Sequence, residues 1–112
     1  MDGKNRGYMN KLLGMVCSDC YMVRRGKPCA YEIVKIKKLK YVLSVIKKYD
    51  LKYIIQKLNN EWVAVFMYEK WYMKEVIRSL PDKPKTLFEH WTLGKAFGYS
   101  DEAISQFLET IN

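Results

Sequence analysis

The pattern of apolar and polar positions predicts an α+β fold in the order β-α-β-β-α-α-α. Residues 30–36 are rich in β-branched and aromatic side chains, which is typical of a strand. Two similar stretches within 51–70 flank an Asn-Asn pair, which predicts a hairpin whose turn holds asparagine at positive φ. Residues 37–50 are predicted as a helix because their apolar side chains recur at helical spacing: Leu39, Val42, Leu43, Ile46 and Tyr49. We expect a three-stranded, mostly antiparallel sheet covered by helices.

Three further helices are predicted after residue 70, so the C-terminal third is expected to be helical. In the first, 71–80, Trp71 lies about 160° from the apolar stripe at 100° per residue, so core packing does not account for it. The "PDKP" stretch at 81–84 breaks the chain before a helix over 85–97. Gly98 ends that helix, and Ser100 is the predicted N-cap of the last one.

The chain of 112 residues fits a single domain. Residues 1–10 are polar with two glycines and are predicted to be a loose lead-in, while 11–29 are predicted to be a turn region rich in cysteine and arginine. The predicted β-α-β-β unit covers 30–70, and the helical part covers 71–112.

The charge of the chain narrows the class of partner. A net charge of +8, from 20 Lys and Arg against 12 Asp and Glu, favours an acidic protein, a ribonucleoprotein surface or nucleic acid. No stretch approaches the ~20 apolar residues of a membrane span, so a membrane is not an expected partner. The apolar stretch "LLGMVC" is too short for a signal-peptide core, and we expect a cytoplasmic protein.

Three cysteines, Cys17, Cys20 and Cys29, lie in the stretch "CSDCYMVRRGKPC". A C-x-x-C pair is half of a zinc site, and a fourth ligand is not evident from the spacing. A redox dithiol is a second alternative, although the thioredoxin-type βαβ context is missing. The third alternative, free thiols that pack beside a turn at 25–28 without any cofactor, is the one that we expect.

Two groups of basic and aromatic residues are candidate binding sites. The first contains cations on the predicted turn and the aromatic residue that the core does not explain: Arg24, Arg25, Lys27 and Trp71. The second lies on the polar face of the predicted 37–50 helix, where cations and an aromatic ring suit phosphates and unpaired bases: Lys37, Lys40, Tyr41 and Lys48. The chain contains no complete catalytic motif, so we do not expect an enzyme.

The C-terminal stretch "HWTLGKAFGYSDEAISQFL" (90–108) resembles a tail seen in small proteins of phages and mobile elements of low-GC bacteria, through "LGK", "GYS" and the closing Ile/Phe/Leu pattern. Such proteins include inhibitors of host defence, among them the anti-CRISPR proteins. The resemblance implies a small binding protein that inhibits a host effector, such as a CRISPR ribonucleoprotein, by occupying it. The alternative from the residues themselves is a direct nucleic-acid-binding protein, stabilised by zinc if the cysteines bind it.

Overall fold

The computed structural model describes the backbone of residues 3–111 and the side chains of residues 6–111. A long helix opens the described chain and three short helices close it, with a sheet and one helix between. In chain order the elements are α1 (Gly3–Arg24), β1 (Cys29–Lys35), a 3₁₀ turn (Ile36–Lys38), α2 (Leu39–Lys48), β2 (Lys52–Lys57), β3 (Trp62–Tyr68), α3 (Met73–Ser79), α4 (Leu87–Ala96) and α5 (Asp101–Ile111).

The sheet has the strand order β1-β3-β2, and both pairings are antiparallel. Val65 of β3 lies opposite Glu32 of β1 and Ile55 of β2, which defines the register. The predicted α+β class and three-stranded antiparallel sheet are therefore confirmed. The central strand is β3, which has a neighbour on each side and most of its side chains buried.

The main core lies between one face of the sheet and the helices α1 and α2. Side chains alternate along a strand, so Val63, Val65 and Met67 of β3 all point to this face. They meet Val42 and Ile46 of α2. From α1 the same core receives a stripe at three- and four-residue spacing: Leu12, Val16, Cys20 and Val23.

A smaller core lies on the opposite face, between the sheet and the helices α3 and α4. It consists of five buried side chains: Cys29, Tyr68, Met73, Ile77 and Ala96. The cover on this face is incomplete, because Tyr31 and Ile33 of β1 remain exposed. The open part forms a cleft of about 850 Å³ between the sheet and the segment that joins α3 to α4.

The helix α1 corrects the prediction for the N-terminal quarter. The loose lead-in over 1–10 is wrong from residue 3 onward (residues 1 and 2 lie outside the described part), and most of the predicted 11–29 turn region is helical. Gly7 and Gly14 weaken the local helix signal, but burial of the apolar stripe outweighs their cost of about 1 kcal/mol each. Although α1 has 22 residues, neither it nor any other described helix is apolar over enough of its length to cross a bilayer.

The turn between β2 and β3 also differs from its prediction. Within the described residues, Asp50 is the only non-glycine residue at positive φ, so neither asparagine of the pair adopts that conformation. Instead, the Asn59 side-chain oxygen accepts hydrogen bonds from the backbone N–H groups of Glu61 and Trp62, at 2.8 and 2.9 Å. Asparagine therefore stabilises this turn through its side chain.

Candidate partner-binding surface

The C-terminal end of α1, the first residue of β2 and the segment after β3 together form a surface of cations and exposed aromatic rings. We call it the basic–aromatic patch and define it as Tyr21, Arg24, Arg25, Lys52, Trp71 and Tyr72. Positions 21, 24 and 25 are adjacent on the surface of α1 because they are separated by three and four residues. Gly26, at φ 116°, ends the helix directly after them, in a conformation that glycine adopts readily.

Glu69 connects the two sides of the basic–aromatic patch. Its carboxylate accepts a hydrogen bond from Arg24 at 2.8 Å, and its backbone carbonyl accepts one from Lys52 Nζ at 3.2 Å. Both contacts are on the surface, so their contribution to stability is small, about 0–1 kcal/mol for such an ion pair. These contacts mainly set positions. Because Glu69 precedes Trp71 by two residues, its contact with Arg24 holds α1 beside the aromatic side of the patch.

Trp71 is the most exposed large apolar residue in the described chain, at 78%. Met73 and Ile77 provide the buried side of α3, and Trp71 precedes that helix and is not part of its buried side. Its ring makes an edge contact with Tyr72 at 5.8 Å between centroids. Arg25 lies over the Tyr21 ring at 5.6 Å. Exposed Trp, Tyr and Arg are the residue types that most often anchor protein interfaces.

The structure connects part of this predicted site. Arg24, at the end of α1, contacts Glu69, two residues before Trp71, and Arg25 follows Arg24, whereas Lys27 is half-buried and packs beside Gly98. The sequence analysis missed Tyr21 and Tyr72. The spacing of Tyr21 from the two arginines would have indicated it, had the helix α1 been predicted.

All four residues of the second predicted site, on the 3₁₀ turn and α2, are exposed. Lys37, Lys40, Tyr41 and Lys48 all lie on the surface, and Lys40 Nζ is 5.1 Å from the centre of the Tyr41 ring. A shallow groove of about 520 Å³ follows the helix and adds Lys47, which the sequence analysis missed. Residues 33–49 contain six lysines and no acidic residue. Neither of the two ion pairs found among the described residues involves these lysines.

The three cysteines do not converge, because Cys17 and Cys20 lie one turn apart on α1 and Cys29 is on β1. Cys20 lies in the main core with its Sγ 3.7 Å from Met67 Sδ, whereas Cys29 is on the opposite face of the sheet and donates to the Ala96 carbonyl at 3.2 Å. Burial raises the pKa of Cys20 to about 12 and that of Cys29 to about 11, so both stay protonated at neutral pH. No group of three or more metal-ligating side chains was found in the part of the chain that the structure describes.

A pair of carboxyl groups at the contact between α1 and β1 was not predicted. Asp19 lies on α1, and Glu32 points from β1 toward the same side. Burial first, and then hydrogen bonding and repulsion from Asp19, raise the pKa of Glu32 from its usual 4.5 to about 8, while Lys27 opposes the shift. Glu32 is therefore mainly protonated at neutral pH and can donate a hydrogen bond to Asp19.

This pair predicts a pH dependence of stability. The unfolded chain releases the Glu32 proton near pH 4.5, whereas the folded chain keeps it until about pH 8. The unfolded state therefore binds fewer protons between these values, and the free energy of unfolding should decrease as the pH rises through this window. Urea unfolding at several pH values between about 5 and 8 measures the slope. Glu32→Gln should flatten it, and an equal slope in this variant would contradict the assignment.

Comparisons with protein-family models, curated proteins and solved structures found no match for this chain.

Proposed function

We propose that this protein acts by binding a partner, without catalysis, and that the basic–aromatic patch is its contact surface. The observation that carries the proposal is the exposure of Trp71 at 78%, two residues after Glu69, which holds Arg24. Removing the surface of an exposed tryptophan from water is favourable in free energy, and this gain is realised only when a partner covers the ring. Arginine adds bidentate hydrogen bonding to carboxylates or phosphates.

The charge of the basic–aromatic patch supports an acidic partner. Three cations belong to the patch, and the acidic side chain that joins its two sides, Glu69, is already paired with Arg24. A carboxylate-rich protein face or a ribonucleoprotein surface complements this arrangement. The finer proposal is that the partner is a host-defence effector inhibited by occupancy. It depends on the resemblance of the 90–108 tail to mobile-element proteins.

Replacing Trp71 by alanine should weaken partner binding at least about 30-fold, as expected of an interface anchor. Stability should change little, because a largely exposed ring contributes little to the core. The measurement is capture of partners from cells that naturally produce the protein, with and without nuclease, followed by titration of the purified partner. Nuclease treatment separates a protein partner from nucleic acid.

Tyr99→Ala is the matched control, since Tyr99 is 61% exposed but lies between α4 and α5, outside the patch. It should leave partner affinity unchanged. Equal losses in both variants, or full affinity in Trp71→Ala, would place the contact surface elsewhere.

A second candidate function, direct binding of nucleic acid, is supported by the lysine face of α2. Its specific support is the run of six lysines in 33–49 without an acidic neighbour in sequence, together with Tyr41 beside Lys40. Rows of cations bind phosphates, and an exposed ring can stack on an unpaired base.

A further inference from the structure

The helical hairpin α4–α5 exposes an unusual number of large apolar side chains. We call this surface the hairpin apolar face and define it as Leu87, Phe88, Trp91, Phe107 and Ile111, which are between 41% and 73% exposed. Soluble monomers rarely leave such residues grouped on one element, and a grouped set indicates an interaction site.

Contacts between the helices make these residues one surface. Gly94 of α4 faces Ile104 of α5 so closely that a Cβ on Gly94 would lie 2.7 Å from the Ile104 side chain. One turn further along, the rings of His90 and Phe107 are 5.4 Å apart. The helices are therefore antiparallel, and one more turn brings Leu87 level with Ile111. Phe88 and Trp91 stack at 6.5 Å beside this row.

The hairpin has almost no core of its own. Ala96 and Ile104 are its fully buried residues in the described part, and Ala96 belongs to the core shared with α3 and the sheet. Two helices bury their apolar sides well only when another layer packs on them. The hairpin apolar face lacks that layer in the single chain.

The accessible surface area of the chain is larger than that of a compact monomer of equal mass, as expected if a partner covers part of it. The chain exposes 7806 Å², whereas a compact monomer of 13.3 kDa exposes about 6,450 Å². The radius of gyration, 15.1 Å, exceeds the about 13.2 Å expected for this length. The excess surface, about 1,350 Å², is larger than the ~800 Å² that each partner buries in a standard interface.

Charge argues for a second copy of this chain as the occupant. Residues 85–112 contain two cations and four anions, whereas residues 1–84 contain 18 cations and eight anions. The acidic partner favoured by the basic–aromatic patch would be repelled by the hairpin. Among two-fold contacts of the chain with itself, repulsion is least where the hairpins meet, because the hairpins have the smaller net charge and the basic parts stay apart.

We propose that the protein forms a two-fold symmetric dimer in which the hairpin apolar faces of two copies pack into a four-helix arrangement. A two-fold contact of a surface with itself closes at two copies, so no larger assembly follows. The basic–aromatic patch lies on other elements, so each dimer presents it twice.

Sedimentation equilibrium of the purified chain tests this proposal. The wild-type protein should have twice the 13.3 kDa mass of one chain. The dimer should persist at about 1 M salt, because apolar burial, unlike charge pairing, is not screened. Phe88→Glu should raise the dissociation constant at least about 30-fold. Its fold should be retained, since a glutamate in the first turn of α4 suits the helix dipole.

Trp71→Glu is the matched control, because it places the same charge on an equally exposed aromatic position outside the hairpin. This variant should dimerise like the wild type. A wild-type chain that stays monomeric at high concentration overturns the proposal. Dimers that survive Phe88→Glu, or that dissociate on Trp71→Glu, overturn it as well. Circular dichroism of both variants confirms that a loss of mass reflects dissociation and not unfolding.

Discussion

Leu12→Ala should lower the free energy of unfolding by about 2–4 kcal/mol, the range for truncating a buried leucine. Leu12 is 4% exposed and belongs to the α1 stripe that packs on the main core. If residues 3–24 were a loose segment, the same substitution would remove no packed side chain and would cost almost nothing. Urea unfolding followed by circular dichroism measures the difference.

Two companion substitutions make this test specific to α1. Leu58→Ala changes the same residue type at an exposed site in the β2–β3 turn and should cost well under about 1 kcal/mol. Gly14→Ala should stabilise the protein by about 0.5–1 kcal/mol, because Gly14 is exposed inside the helix and an added Cβ meets no neighbour. A decrease in the free energy of unfolding for Leu12→Ala together with an increase for Gly14→Ala is expected only if α1 is a helix packed on the core.

The part of the fold that could be predicted from the sequence is the part with clear local periodicity. The β-α-β-β-α-α-α order after residue 29 matches the structure, and Ser100 caps α5 by accepting from the Ala103 N–H at 3.1 Å, as predicted. The helix α1 was not predicted because its glycines and cysteines are typical of a turn region. Its stripe, Met9, Leu12, Val16, Cys20 and Val23, is visible at three- and four-residue spacing only when those local signals are set aside.

The candidate site could be predicted only where the spacing along one helix determines which side chains are exposed. Trp71 was selected because it lies off the α3 stripe, and it is indeed exposed. Contacts that join distant segments leave no local signal: Arg24 with Glu69 is separated by 45 residues, and Asp19 with Glu32 joins a helix to a strand. The hairpin apolar face could not be predicted for a related reason, because apolar side chains at helical spacing in α5 usually indicate burial, and only Ile104 is buried.

The combined substitution Lys37→Ala, Lys40→Ala and Lys48→Ala should flatten the salt dependence of nucleic-acid binding by about two to three units. Each lysine that contacts a phosphate releases about 0.7 to 0.9 of a counterion, so three lost contacts account for a change of this size. The loss of affinity between about 50 and 200 mM salt should then be about 20- to 40-fold smaller than for the wild type. Fluorescence anisotropy with a labelled single strand and with a duplex of equal length measures it.

The control for these lysines is a second triple variant, which has the same net charge as the first but leaves α2 unchanged. Lys70→Ala, Lys74→Ala and Lys83→Ala together remove three exposed cations from other segments and should leave the salt slope near the wild-type value. Tyr41→Ala should weaken binding of the single strand about 10-fold without changing the slope, because stacking on a base releases no counterion. An equal flattening in both triple variants would show that net charge alone attracts the nucleic acid. In that case α2 would be a solvated face, and the basic–aromatic patch would remain the contact surface of this protein.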